Sequence, residues 1–410
     1  MGPEAPRVQA PCPESGPPGR GTSHQHAPPC PKRKRAPGQD AGSPGRGSRS
    51  RSGTRSRSRS RSRPRPRSWS RSGTRSRSRR DRQSAPLLPL QSYDRPVGRP
   101  TLRIVSYNVR YFGHALKGLA STHRSQRGIA DRLARLDPTA DIICLQEIET
   151  TSFRSRVALR RPRREETQLA SFMREVEAAF ALRGRASPYE GFYFRAHVNR
   201  LRSFKIYTTG LAILVNQRRL QVEGHNAEAP QRITHHHVEL MRDVKQTRIC
   251  AHMVLRTPAG TRLHLFNTHL SLPTPFARAF WSSPRRMGFG PNQLAEARAL
   301  ASFVRRCSGD EPYVVCGDFN SSPGSPVYRY LTGEAGLACA QERLGQLDLE
   351  RPSSFPTAGF IRLRMHLDHL LYGNGVSFVD LEGTRPFGDR RGPFHGLSDH
   401  VPLVGRFRCH

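Results

Sequence analysis

Tyr313-Val-Val-Cys-Gly-Asp-Phe-Asn320 is the stretch on which the reading of this chain turns. Three β-formers, Tyr313, Val314 and Val315, run into Gly317 and then into a carboxylate and an amide two positions apart, Asp318 and Asn320. Alternate residues of an extended chain share a face, so an anion and an amide dipole are expected to converge just beyond a buried strand. Gly, Asp and Asn are also common turn residues, and alone the stretch is equally an ordinary strand exit. The surrounding sequence decides between the two.

Before it, Leu294, Ala297, Leu300, Ala301 and Val304 recur at helical spacing. After it, strands are expected over 366–371, 375–379 and 401–407. The folded part begins near Thr101, where Leu102, Ile104 and Ser106 alternate with Arg103, Val105 and Tyr107 in a strand ending at Asn108. Ile129, Leu133 and Leu136 mark a helix with Pro138 just past its end, and Asp141-Ile-Ile-Cys-Leu145 is a short apolar strand that exits at Gln146-Glu147. Leu169, Phe172, Met173, Val176, Ala179 and Phe180 mark a second amphipathic helix, with Glu165 and Glu166 at its start and Gly184 after it. Strands follow around 192–195, 210–215, 247–255 and 262–268. A β-α-β-α opening and a strand-rich remainder predict an α/β fold of two packed sheets with helices outside.

Residues 1–100 are different. A Pro/Gly/Ser stretch gives way to Arg-Ser alternation from about Ser48 to Arg80, without apolar periodicity, and such a segment cannot offset its conformational entropy by burial. We expect a disordered tail over 1–100 and one folded domain over 101–410. The tail has 24 basic and 5 acidic residues, net +19, and the rest has 44 and 27, net +17. Both parts favour a polyanionic partner, nucleic acid or an anionic lipid surface. Pro31-Lys-Arg-Lys-Arg35 resembles a nuclear import signal. No apolar signal region follows Met1, no run approaches a membrane span, and eight scattered cysteines form no C-x-x-C pair. The expectation is a monomer in a reducing, intracellular setting, cytoplasmic or nuclear.

Several strands end in polar groups: Asn108, Glu147, His269 after Asn267-Thr268, Asp318 with Asn320, Asp368, and Asp399-His400. Packed sheets can bring such ends to one rim. Glu147, Asp399 and the Asn108 amide are hard oxygen donors suited to Mg²⁺ or Mn²⁺, and phosphodiester hydrolysis also needs a base, oxyanion donors and leaving-group stabilisation. His235-His-His237 has no acidic or Cys companion nearby and reads as a solvated segment.

Ser106-Tyr-Asn-Val109, Leu145-Gln-Glu-Ile148, Asn267-Thr-His-Leu270, Gly317-Asp-Phe-Asn320, Leu367-Asp-His-Leu370 and Leu397-Ser-Asp-His400 together resemble the ordered motif set of the endonuclease/exonuclease/phosphatase superfamily, the DNase I-like fold. The resemblance covers about 102–407 and implies a four-layer sandwich of two mixed or antiparallel sheets flanked by helices. It implies a metal-dependent phosphoric ester hydrolase. Glu147 would be the principal metal ligand, helped by Asn108 and Asp399. His400 would be the general base, oriented by Asp368. His269 and Asn320 would contact the scissile phosphate, and Asp318 would position water or metal. His366 and His369 should turn to the face opposite the Asp368 carboxylate, as structural or surface groups.

The substrate is less legible. Arg364-Met-His-Leu-Asp368 differs from the segment usual in inositol polyphosphate 5-phosphatases, and Gly317-Asp-Phe-Asn-Ser-Ser-Pro-Gly-Ser-Pro326 looks more like the deadenylase, sphingomyelinase and lipid-remodelling branches. The segment 273–290 interleaves Phe276, Phe280, Trp281 and Phe289 with Arg278, Arg285 and Arg286. Such residues suit base stacking with phosphate contacts, with Arg278 and Trp281 as the substrate-binding candidates, an anchor on anionic membrane, or aromatics packed under their own loop. Nucleic acid is the preferred substrate. A phospholipid phosphodiesterase and a non-catalytic Arg-Ser-tailed RNA-binding adaptor are the alternatives.

Overall fold

The first strand, β1 (Leu102–Asn108), sends alternate side chains into two different apolar clusters. Leu102 and Ile104 enter one, Val105 and Tyr107 the other. A strand buried on both faces needs a layer on each side. The computed structural model describes residues 100–410 apart from 115–121, 150–166, 202–203, 235–246, 274–285, 352 and 361–362.

Fourteen further strands follow: β2 (Ile142–Ile148), β3 (Tyr189–Leu201), β4 (Phe204–Asn216), β5 (Gln221–His225), β6 (Gln231–Arg232), β7 (Ile249–Arg256), β8 (Arg262–His269), β9 (Tyr313–Asp318), β10 (Ala338–Cys339), β11 (Ala358–Phe360), β12 (Leu363–Met365), β13 (Asp368–Gly373), β14 (Val376–Asp380) and β15 (Leu403–Cys409). The first sheet has the order β14-β15-β1-β2-β4-β3 and the second β10-β13-β9-β8-β7-β5, with β6 also on β7. Only β1 with β2 and β8 with β9 run parallel. Parallel neighbours need a crossover, and the helices α1 (His123–Ala134) and α3 (Pro291–Ser308) lie in those two connections. A further helix, α2 (Gln168–Ala181), joins α1 on the first sheet.

Ile104, Cys144, Ile213, Met253, Leu265, Cys316 and Leu370 fill the space between the sheets. Ile129 and Leu133 of α1 and Phe172 and Val176 of α2 pack with Val105, Ile143 and Leu145 on one outer face. Leu300 and Val304 of α3 pack with Phe266 and Val315 on the other. The result is the expected four-layer α/β/β/α sandwich. At roughly 1.5–3 kcal/mol per fully buried large side chain, the layer between the sheets outweighs any single cap or surface ion pair.

Local chemistry sets the helix starts. Thr122 and Thr167 accept hydrogen bonds from the backbone N–H groups of Ser125 and Ala170, each at 3.1 Å. Glu165 and Glu166 lie outside the described residues; α2 begins on the Thr167 hydroxyl cap. Gly184 beyond it has φ +65°, which favours glycine. Strands β5, β6 and β10 to β12 were not anticipated. They are short, and β5, Gln-Val-Glu-Gly-His, buries none of its residues fully, so pairing rather than pattern creates them. Cys144 and Cys316 are fully buried and free, as small hydrophobes. Among the described residues no helix is long and apolar enough to cross a membrane.

One polar link joins the two sheets through this core. The Gln146 amide N–H donates to Asn267 Oδ1 at 2.8 Å, and Asn267 Nδ2 donates to the carbonyls of Leu145 and Ala212, both at 3.2 Å. Both side chains are fully buried. Replacing Asn267 by leucine keeps the volume but leaves Gln146 Nε2 with only the longer contacts to Ser106 Oγ and the Cys144 carbonyl and removes the donor to two buried carbonyls, so urea unfolding should show a loss of roughly 2–4 kcal/mol. A loss below about 0.5 kcal/mol would mean that the amides are not satisfied through each other.

Candidate active site

The corner after β9 is built around a glycine that nothing else can replace. Gly317 has φ +147°, and a Cβ there would lie 2.0 Å from the Thr268 carbonyl oxygen of the neighbouring strand. The strand then stops at Asp318 instead of continuing to Asn320. Asn320 adopts φ +47°, and its backbone N–H donates to Asp318 Oδ1 at 2.9 Å. The carboxylate and the amide therefore meet through an aspartate-capped turn, not through the same-face alternation expected from the sequence. An aspartate side chain competes well for the N–H two residues on.

Asn320 is held from several directions. Its Nδ2 donates to the Leu270 carbonyl at 2.9 Å and approaches His269 Nε2 at 3.2 Å. Gln293, in the first turn of α3, donates to the Ser271 and Asn320 carbonyls at 2.7 and 2.8 Å. Glu296, one turn on, accepts from the Ser271 N–H and hydroxyl at 2.8 and 2.7 Å. Both α3 residues are fully buried, so the helix start fixes the exits of β8 and β9 together.

The first sheet contributes through a bulge. Gln146 pairs with Leu211 and Ile148 with Gly210, which leaves Glu147 as an extra residue with φ +58°. Bulges re-aim a side chain, and this one turns Glu147 toward the end of β1. There Asn108 Nδ2 donates to Glu147 Oε1 at 3.2 Å and, across the gap between sheets, to Asp318 Oδ2 at 3.0 Å.

Asp368, which opens β13, pairs in register with Asp318. His400 lies just before β15, and its Nδ1–H donates to Asp368 Oδ2 at 2.9 Å. The same carboxylate oxygen receives the Thr357 hydroxyl at 2.6 Å, while Thr357 Oγ1 accepts the N–H groups of Leu367 and Asp368. With Nδ1 committed, Nε2 is the free imidazole nitrogen, 3.7 Å from Asp318 Oδ2. Burial by itself would push the His400 pKa down, but the Asp368 and Asp318 carboxylates outweigh it and hold it well above the ordinary value. Burial, reinforced by Asp368, pushes Asp318 up to about 7 despite the pull of His400. Burial, with Arg248 and His400 nearby, keeps His269 well below its ordinary value and therefore neutral near pH 7.

Asn108, Glu147, His269, Asp318, Asn320, Asp368 and His400 thus converge through this chain of contacts. Asp399 stands slightly apart, bound to Arg110 at 2.8 Å. Arg110 also donates its backbone N–H to Asn108 Oδ1 at 3.0 Å, and it opens a run of three positive φ values, Arg110, Tyr111 and Phe112. Arg110, Thr357 and Arg248 escaped the sequence reading. The first is a basic residue two after Asn108, and the others belong to no motif. Arg278 and Trp281, and His235 to His237, lie outside the described residues. His366 and His369 are buried rather than surface groups. They donate to the Phe355 and Ser321 carbonyls at 2.7 and 2.8 Å and brace the surrounding loops.

Ligand atoms of Asp318, Asp368 and His400 lie within 4.8 Å of one another. The latter two are already satisfied by each other and by Thr357, an arrangement suited to moving a proton. Glu147, Asp318 and Asp399 supply carboxylate oxygens, and Asn108 an amide whose Oδ1 here accepts the Arg110 N–H; oxygen donors of this kind fit a hard divalent cation.

Residues 105–400 match the Endonuclease/Exonuclease/phosphatase family. The chain belongs to that family. It is accordingly a family hydrolase, a phosphoesterase. Nocturnin of Drosophila melanogaster is 33% identical over 63 residues, 14% of this chain and 10% of the relative, so the match spans about a tenth of that protein. The family structure from Bacteroides vulgatus superposes with a TM-score of 0.50 at 15% identity, covering 76% of this chain and all of that one. The human Nocturnin catalytic domain with bound sulfate anion gives 0.48 at 19% identity, covering 76% and 94%.

Proposed function

We propose that residues 101–410 form the catalytic domain of a divalent-metal-dependent phosphodiesterase acting on nucleic acid, and that residues 1–100 are a basic arm favouring the same polyanion. The observation that carries the catalytic reading is the His400–Asp368–Thr357 chain. It fixes the imidazole tautomer, with Nδ1–H on Asp368 and Nε2 facing Asp318. In its neutral form a ring so oriented takes a proton from water at Nε2, and the Asp368 and Asp318 carboxylates that hold its pKa above the ordinary value stabilise the imidazolium that results.

Asp318 shares the space in front of Nε2 and would orient the attacking water. Asn320, locked by Gln293 and Leu270, would present its amide to a phosphoryl oxygen, beside His269. Glu147, Asn108 and Asp399 would hold Mg²⁺ or Mn²⁺, which supplies positive charge to the phosphoryl oxygens. Arg110, now on Asp399, offsets part of the negative charge gathered there. The net +17 of residues 101–410 supports a polyanionic substrate.

The test is turnover by the full chain with Mg²⁺ of single-stranded RNA, single-stranded DNA and sphingomyelin vesicles, each with an EDTA control. Cleavage of either nucleic acid, abolished by EDTA, is the expected result. Turnover of vesicles alone would overturn the nucleic-acid reading and leave the metal-dependent diesterase.

A further inference from the structure

A cavity of about 370 Å³ opens beside His400 in the loop between β14 and β15. His114, Arg364, Arg385, Arg390 and His395 line it, and it reaches Ser398 and His400. None of the residues credited with metal or phosphate binding lines it, and His400, the base, is the one catalytic candidate that does. Its volume is that of a small ligand site.

The charge of this cavity is one-sided. Asp389 is its one acidic lining residue, and that carboxylate already accepts the Arg391 N–H at 2.9 Å. Glu382, next to the lining residue Gly383, is drawn to Arg406 at 3.2 Å. Arg385 and Arg390 are exposed, and no carboxylate among the described residues pairs with either. Arg364 stacks its guanidinium 5.0 Å from the Phe387 ring centroid, which orients the group. His114 Nδ1 is buried without a hydrogen-bond partner among the described residues.

We propose that this cavity is a second anion subsite, which receives the phosphate of the nucleotide next to the scissile one. This rests on the phosphodiesterase reading and deepens it: the substrate is a polynucleotide strand with at least two phosphates, not a single-phosphate ester. Arg385 and Arg390 are the phosphate-binding groups at the rim. Each is a positively charged fork matched to phosphate geometry.

The full chain and the double variant Arg385→Ala/Arg390→Ala should be compared on a single-stranded RNA oligonucleotide and on bis(p-nitrophenyl) phosphate, which has one phosphate. The double variant should lose at least tenfold more kcat/KM on the oligonucleotide than on the small diester, chiefly through KM. The Arg385→Lys/Arg390→Lys variant should recover part of that loss. Equal losses on both substrates would overturn the subsite.

Binding of the same oligonucleotide in EDTA, followed by fluorescence anisotropy, separates this proposal from the catalytic one. The alanine variant should bind at least fivefold more weakly, and its log–log salt slope should shrink by about 1.4, the value for two phosphate contacts on a single strand. Unchanged affinity and slope would overturn the subsite even in an active enzyme. Weakened binding in a chain that cleaves no diester would support the subsite and sink the catalytic reading instead.

Discussion

Replacing His400 by alanine is expected to lower kcat on a phosphodiester by about 10³-fold, within the range that a positioned general base contributes, while oligonucleotide binding changes little. The expectation follows from where the ring is tied. Nδ1 is spent on Asp368 and leaves Nε2 to handle a proton. Asp368→Asn should reproduce most of the loss, because an amide facing Nδ1 no longer dictates the tautomer and leaves the Thr357 hydroxyl and the buried imidazole poorly matched. Circular dichroism would show whether either variant remains folded. A folded His400→Ala protein that retains wild-type turnover would mean that His400 is not the base. If wild type and variant were both inert, the adaptor reading would gain.

Glu147→Gln is the second large effect, a loss of about 10²–10³-fold in turnover with a Mg²⁺ requirement raised at least tenfold. The substitution keeps the shape and removes one negative charge from the bulge where Glu147 faces Asn108. It distinguishes a ligand from a structural carboxylate, because a ligand's loss is partly recovered at high metal concentration and a fold defect is not. A Mg²⁺ titration of rate, run beside the wild type, checks this. An unchanged midpoint would place the metal elsewhere, with the cluster of Asp318, Asp368 and His400 as the alternative.

The parts legible in sequence were those whose physics is local. Strand β1 follows from alternation in Leu102 to Asn108, although its burial on both faces does not, and α3 follows from the spacing of Leu294 to Val304. The six motifs gave the residues that converge, because each sits at a strand end and strand ends meet at a rim once the sheets pack. What the residues do to one another was less visible. The Asp318–Asn320 geometry comes from a turn that an extended reading missed, since Asp318 prefers the N–H of Asn320 to continuing the strand. Thr357 touches Asp368 from 11 positions away, and nothing in Phe-Pro-Thr-Ala announces it. Arg110 carries no signal of its own in a strongly basic chain, and only the Asp399 carboxylate beside it in space sets it apart. The basic cavity beside His400 was equally silent, being assembled from His114, Arg364 and the 383–402 segment, which are far apart in sequence.

The amide pair Gln146 and Asn267 stands immediately behind the chemistry, one residue before Glu147 and two before His269. Each sheet owns only part of the reactive constellation, so the distance between the half carrying Asn108, Glu147 and His400 and the half carrying His269, Asp318 and Asp368 is set by how the two slabs register on one another. Apolar packing is indifferent to small sliding, whereas a pair of directed amides is not. The spacing of the reacting groups is therefore gauged from inside the core, by a contact that no substrate ever reaches.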